Sequence, residues 1–65
     1  MKVTVNGQQR DVIVGTVADL VGTLGLPSER VALERNFEIV PRTAWAETSV
    51  TEGDRFEIVH FVGGG

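Results

Sequence analysis

The residues whose chemistry stands out are three consecutive glycines, Gly63, Gly64 and Gly65, which follow the apolar end of the last predicted strand. Glycine loses much conformational entropy on ordering and has no side chain to bury, so this run adds nothing to a core. A carboxylate on Gly65 would be unhindered, and residues without side chains can enter a channel too narrow for others. Adenylation would turn that carboxylate into an acyl donor. We therefore interpret the glycines as a tail that a partner enzyme reaches and acts upon.

The rest of the chain offers no spacing that is typical of an enzyme site. Ser28, Ser49 and the lone histidine, His60, could supply a nucleophile and a base, but nothing in their spacing brings them together. One histidine without cysteine cannot complete the usual zinc ligand set. Gly22 and Gly25 lie within and after a predicted helix, where a phosphate-binding loop would not place them. The sequence predicts no internal active site and no metal site.

The composition limits the fold and the partners. The chain has 65 residues, of which 42% are hydrophobic and 23% charged, so we expect one small folded domain. Six basic and nine acidic residues give a net charge of -3, which does not favour binding to nucleic acid. No apolar run approaches the roughly 20 residues that span a bilayer, and the first ten residues turn polar too early for a signal peptide. We expect a cytoplasmic protein that does not bind membranes.

The first half of the chain predicts a hairpin followed by a helix. Residues 2–5 alternate in polarity, Asn6-Gly7 is a strong hairpin turn, and residues 8–14 form the returning strand. A two-residue loop would put polar residues of the second strand on the face of the first strand's valines, so a longer or bulged turn is an alternative. Thr16 is the expected N-cap of a helix at residues 17–24.

The helix has one apolar face, and its end carries a stop signal. Apolar residues recur at the i, i+3, i+4, i+7 spacing of one face. They are Val17, Leu20, Val21 and Leu24. Gly25 suits the left-handed position after the helix, and Pro27 prevents its continuation. We predict a two-turn helix packed on a sheet.

The second half predicts three further strands. Residues 30–36 and 38–40 form a hairpin around Asn36-Phe37, and Trp45 folds back from a connector as a lid on the core. A turn at residues 52–54 leads into the most strand-like stretch, residues 55–62. The order predicts an α+β protein with a mixed four- to five-stranded sheet on one helix, which is the β-grasp arrangement. We expect the domain to cover residues 1–62 and the glycine tail residues 63–65.

The last strand divides its apolar residues between two faces. Alternation puts Phe56 and Ile58 in the core under the helix. Val59 and Phe61 then point outward just before the tail, where together with Val62 they would bind a partner enzyme. The alternative is that the connector holding Trp45 covers them.

These segments together resemble a known family. The likeness runs through "MKVTVNG", "TVADLVGTLGL", "RVALERN", "EIVPR" with Trp45, and "EGD" leading into "EIVHFVGGG". The chain resembles the sulfur carrier proteins of thiamin biosynthesis, the ThiS family, within the ubiquitin-like β-grasp group. The resemblance implies that a ubiquitin-activating-like adenylyltransferase uses ATP to adenylate the Gly65 carboxylate. Sulfur from cysteine, supplied through a cysteine desulfurase, then replaces AMP to give a thiocarboxylate.

The resemblance also implies the fate of that sulfur. Thiazole synthase would take it from Gly65 to build the thiazole ring. The chain would be a carrier and cosubstrate and not an enzyme, and it would bind no cofactor of its own. Two alternatives use the same residue: a sulfur carrier for molybdopterin assembly, and a ubiquitin-like modifier joined to proteins through Gly65. A third alternative is a binding module in which the glycines have no role.

One position departs from the family pattern. The turn before "EIVPR" is expected to be Asn-Gly, and the chain has Asn36-Phe37. Phenylalanine is unfavourable at the positive φ of a type I′ turn. We therefore expect either a looser hairpin here or a Phe37 side chain that covers a partner or a second copy.

Overall fold

The computed structural model describes residues 1–61. The predictions for Val62, Gly63, Gly64 and Gly65, including the boundary between domain and tail, lie outside the described residues. The elements are β1 (Lys2–Val5), β2 (Gln8–Asp11), α1 (Val17–Thr23), β3 (Val31–Arg35), β4 (Glu38–Ile39) and β5 (Arg55–His60). Two 3-10 helices, Ser28–Arg30 and Arg42–Glu47, lie in the connections.

The five strands of residues 1–61 form one mixed sheet in the order β2-β1-β5-β3-β4. The central strand, β5, is parallel to β1, and the other pairs are antiparallel. Buried residues of α1 join those of β1, β3 and β5 in one core, so the helix covers one face of the sheet. The predicted α+β fold, a mixed sheet packed on a single helix, is confirmed.

The first hairpin has the two-residue turn that Asn6-Gly7 predicts. Both residues have positive φ, 49° and 81°, and Val5 pairs directly with Gln8. The longer or bulged turn considered as an alternative is wrong. The polar second strand is tolerated because β2 is an edge strand whose four residues are all exposed. It is also shorter than predicted, ending at Asp11.

Helix α1 begins and ends with the predicted signals. The Thr16 hydroxyl accepts from the Asp19 amide, and the Asp19 carboxylate accepts from the Thr16 amide, which makes a capping box. Gly25 has φ +72°, and the Leu26 amide donates to the carbonyl of Val21, the pattern of a Schellman C-cap. These local bonds explain why a helix of seven residues is well defined.

Trp45 closes the core from the connector, as predicted. It lies in the 3-10 helix Arg42–Glu47, is buried, and donates its indole N–H to the carbonyl of Val40 at 2.8 Å. A buried indole needs such an acceptor. The interaction holds the connector against the sheet after β4.

The hairpin at Asn36-Phe37 is tight, so the looser hairpin is wrong, and the other alternative, a Phe37 side chain that covers a partner or a second copy, stays a prediction. Asn36 and Phe37 have φ 52° and 72°, and Arg35 pairs directly with Glu38 across two residues. The Asn36 side chain fixes this conformation. Its amide donates to Asp54 at 3.1 Å, and its oxygen accepts from the amide of Arg55 at 3.0 Å. Tertiary bonds to Asn36 thus outweigh the unfavourable φ of Phe37.

Candidate functional site

Strand β5 carries the chain to the glycine tail, and it is anchored on both sides. It lies between β1 and β3 in the middle of the sheet. Phe56 and Ile58 point into the core, and Phe56 is fully buried. The predicted core assignment of both residues is confirmed. Because a central strand is hard to displace, the carboxyl end of β5 at His60 has a fixed position on the domain.

The other face of β5 is open. Val59 is 60% exposed and Phe61 51% exposed, so the connector holding Trp45 leaves both accessible. Alternation along the strand therefore predicts the orientation of these two side chains correctly. Their role in partner binding stays a prediction.

The open face extends across β3 to β4, beyond the residues of β5 that strand alternation predicts. Ala32 lies directly opposite Val59, and Ile39 is 74% exposed on the neighbouring edge strand. We call Ala32, Ile39, Val59 and Phe61 the outer apolar face. The sequence alone did not indicate that Ile39 joins this face, because that depends on β5 lying beside β3.

Two carboxylates lie within this surface. Glu34 and Glu57 are directly opposite each other on β3 and β5, and neither forms an ion pair within residues 1–61. Like charges opposite one another on a sheet are unfavourable. The pair gives the outer face a negative potential that a basic partner surface would relieve.

At the other end of the same face, Phe37 stands out from the turn. Its side chain is 75% exposed, and the Arg55 guanidinium lies 5.3 Å from the ring centroid. That geometry is a cation–π contact.

The residues considered for an internal enzyme site do not come together. Ser28 begins the first 3-10 helix, Ser49 bridges Thr16 at the start of α1, and His60 ends β5. No hydrogen bond joins them in the described part of the chain. Residues 1–61 also contain no group of three potential metal ligands, and none of their helices is long and apolar enough to cross a membrane. The predicted reacting residue, Gly65, and its neighbours Gly63 and Gly64 lie outside the described residues.

The family to which the chain belongs follows from its sequence as a whole. Residues 3–65 match the ThiS family, and the match includes all three glycines. The chain belongs to the ThiS family. The resemblance inferred from the sequence motifs is therefore confirmed.

Two relatives of similar size carry ThiS in their names. The chain is 43% identical over 51 residues to the sulfur carrier protein ThiS of Bacillus subtilis, covering 78% of this chain and 77% of that protein. The crystal structure of the thiamine biosynthesis protein ThiS from Geobacter metallireducens is 36% identical, covers the whole of both chains, and superposes with a TM-score of 0.85. The ubiquitin-like β-grasp fold is thereby established.

A third relative is much longer. The thiazole synthase of Paramagnetospirillum magneticum is 48% identical over 66 residues, which cover 100% of this chain. The chain spans only 20% of the length of that protein.

Proposed function

We propose that this ThiS-family chain carries sulfur for thiazole formation in thiamin biosynthesis, and that the sulfur is held as a thiocarboxylate on Gly65. The observation that carries the proposal is the family match, which extends to Gly65 itself. The proposal requires a free carboxylate on that residue. The chain then acts as a cosubstrate of partner enzymes in the cytoplasm and performs no reaction alone.

The chemistry begins with activation of the carboxylate. A Gly65 oxygen attacks the α-phosphorus of ATP in a ubiquitin-activating-like adenylyltransferase, and pyrophosphate leaves. The persulfide of a cysteine desulfurase then attacks the acyl carbon and displaces AMP. A thiol reductant cleaves the resulting acyl disulfide, which releases the thiocarboxylate and leaves the oxidised thiol as a disulfide. Both ATP and the sulfur source are bound by the partners, so the chain itself needs no cofactor.

The domain supports this role by fixing β5, the strand that precedes the tail in the sequence. The core side of β5 is buried, while Phe61, the last described residue, and Val59, two residues before it, are exposed. In our proposal these two residues and Val62 dock on the adenylyltransferase. Ile39 and Ala32 continue the apolar surface, and the Glu34–Glu57 pair favours a partner with a basic residue at its centre.

Thiazole synthase is the proposed acceptor of the sulfur. A stretch similar to this whole chain occurs within a protein named thiazole synthase. A carrier and the enzyme that uses it would benefit from covalent linkage, because linkage raises their effective concentration. That arrangement supports the proposed partnership. The names of the relatives favour thiamin over molybdopterin assembly.

Mass spectrometry of the chain isolated from its native cells tests the proposal. We expect a fraction in which sulfur replaces one oxygen of the Gly65 carboxylate, and this fraction should disappear in cells that lack the adenylyltransferase. Isopeptide remnants of Gly65 on lysines of other proteins, without any thiocarboxylate, would instead establish a protein modifier.

A further inference from the structure

Within residues 1–61, strand β5 has a free backbone edge close to its carboxyl end, which precedes the tail in the sequence. The parallel partner β1 pairs with β5 only as far as Val5 and Phe56, because the chain then turns away at Asn6-Gly7. The Asn6 side chain continues the pairing by one residue. Its amide donates to the Ile58 carbonyl at 3.1 Å, and its oxygen accepts from the Ile58 amide at 2.7 Å.

After Ile58, the next residue of β5 whose backbone N–H and C=O point towards the β1 side is His60. On the opposite side of β5, the Phe61 amide donates to the Arg30 carbonyl at 2.7 Å. Since consecutive residues of a strand direct their N–H and C=O groups to opposite sides, those of His60 point towards the side that β1 has left. Within residues 1–61, no group bonds to either of them. The free pair can therefore accept a further strand.

A hollow of about 400 Å³ lies beside this free edge. We call it the β5 notch. Its apolar lining includes Val5, Leu24 and Ile58, and its polar lining includes Arg10 and His60. The notch therefore offers backbone hydrogen bonds and an apolar surface together, which is how an added strand is recognised.

The charges around the notch favour an acidic occupant. Asp11, which also lines it, is paired with the N-terminal amino group and with Lys2, both at 3.4 Å. Arg10 forms no ion pair in the described part of the chain. The uncompensated charge at the notch is thus positive.

We propose that the β5 notch binds an extended strand of the adenylyltransferase. The strand hydrogen-bonds to the backbone of His60, places an apolar side chain against Leu24 and Ile58, and directs a carboxylate to Arg10. This inference rests on the proposed function, because it names the same partner. Pairing at His60 would fix the register of the tail, since Gly65 lies five residues further and at most about 17 Å away when extended.

Two substitutions at His60 separate its backbone from its side chain. His60→Pro removes the free N–H without removing any hydrogen bond within residues 1–61, and proline is tolerated at such an unpaired edge. His60→Ala keeps the N–H and removes only the imidazole. Titration calorimetry of each variant with the purified adenylyltransferase, without ATP, measures Kd. We expect His60→Pro to weaken binding at least tenfold and His60→Ala less than threefold.

Amide hydrogen exchange followed by NMR tests the same contact in the unmodified sequence. The His60 amide should exchange at least tenfold more slowly when the adenylyltransferase is bound, while the Ile58 amide, already bonded to Asn6, serves as the internal reference. This measurement decides the question even if His60→Pro does not fold. Unchanged exchange at His60 in the complex would overturn the proposal. The proposal would also be overturned if the His60 amide became protected as the concentration of this chain rises in the absence of the adenylyltransferase. That result would assign the notch to a second copy.

A charge-matched pair of variants tests the acidic contact. Arg10→Gln and Gln9→Glu each lower the net charge by one, but Gln9 pairs with Thr4 on the other face of the sheet. We expect Arg10→Gln to weaken binding three- to tenfold and Gln9→Glu to weaken it less than twofold. Equal effects would remove Arg10 from the contact and overturn that part of the proposal.

The same titrations separate this inference from the proposed function. Wild-type adenylation with unaltered binding by His60→Pro would overturn the notch contact and leave the carrier function standing. Tight binding that His60→Pro weakens, without any adenylation, would support the notch contact and overturn the carrier function. A wild-type chain that does not bind the adenylyltransferase would overturn the inference, because the proposed occupant would be absent.

Discussion

The two ends of strand β5 differ in what surrounds them. At the amino-terminal end, Asp54 is only 4% exposed and accepts hydrogen bonds from Thr51, Arg35 and Asn36. At the carboxyl-terminal end, exposed apolar side chains and a backbone pair without a partner among residues 1–61 precede the tail in the sequence. The difference indicates that one end stabilises the domain and the other is available to partners. Stability and partner binding should therefore be separable by mutation along a single strand.

The largest expected loss of stability comes from Asp54→Ala. The change removes the acceptor shared by Thr51, Arg35 and Asn36, and breaking a buried pair costs about 3–5 kcal/mol. Because Arg35 is partly exposed and can regain water, we expect about 3 kcal/mol, measured by urea unfolding. Glu57→Ala, on the open face, is the control and should change stability by less than about 0.5 kcal/mol. Similar losses for both variants would contradict the division between the two ends.

Acid should destabilise the domain partly through the same residue. Burial alone would raise the pKa of Asp54, but hydrogen bonds from Thr51, Arg35 and Asn36 outweigh it and hold the pKa below its ordinary value. The stabilisation is therefore complete above the unfolded pKa and is lost as the pH falls through the lower folded pKa. Unfolding curves between about pH 5 and 2 should show a smaller loss for Asp54→Asn than for wild type. Parallel curves would remove Asp54 from the acid response.

Relief of strain beside this network should have a smaller and opposite effect. In Phe37→Gly the positive φ no longer strains a β-carbon, which stabilises the fold by about 1 kcal/mol. The variant also loses the cation–π contact with Arg55, which costs about 0.5 kcal/mol. We expect a net gain of up to roughly 0.5 kcal/mol in thermal unfolding. Phe37→Ala, which keeps the strain and loses the ring, should be slightly destabilised. A clear loss in the glycine variant would show that the ring stabilises the turn.

The smallest effect on stability is expected at the other end of β5. Phe61→Ala should leave the melting temperature nearly unchanged, because the side chain is half-exposed, yet it should weaken adenylation if the outer apolar face docks the enzyme. Thermal unfolding and a titration of the adenylation rate measure the two properties on one sample. A loss of about 3 kcal/mol or more would place Phe61 in the core instead.

Local signals explain which parts of the fold could be predicted from the sequence. Asn6-Gly7, the Thr16 cap and Gly25 each act within a few residues, so the first hairpin and the helix follow from the sequence directly. The hairpin around Asn36-Phe37 was predicted, but its tight conformation could not be, because that depends on bonds from Asn36 to Asp54 and Arg55, almost 20 residues away.

The site shows the same contrast. The outward orientation of Val59 and Phe61 follows from strand alternation alone. Ile39 and the β5 notch were not predicted, because they depend on which strands become neighbours and where β1 ends beside β5. The reacting residue itself, Gly65, is predicted from sequence and family alone.

The most direct test of the carrier function is pyrophosphate release by the adenylyltransferase with wild-type chain or with a variant lacking Gly64 and Gly65. The new terminus at Gly63 would fall about 7 Å short of the catalytic position, so release should drop to background while thermal unfolding stays unchanged. Gly64→Ala should fold equally well and slow release at least tenfold, equivalent to ~1.4 kcal/mol of transition-state binding. Equal rates for the wild type and the two-glycine deletion would contradict the proposal that Gly65 is the residue activated.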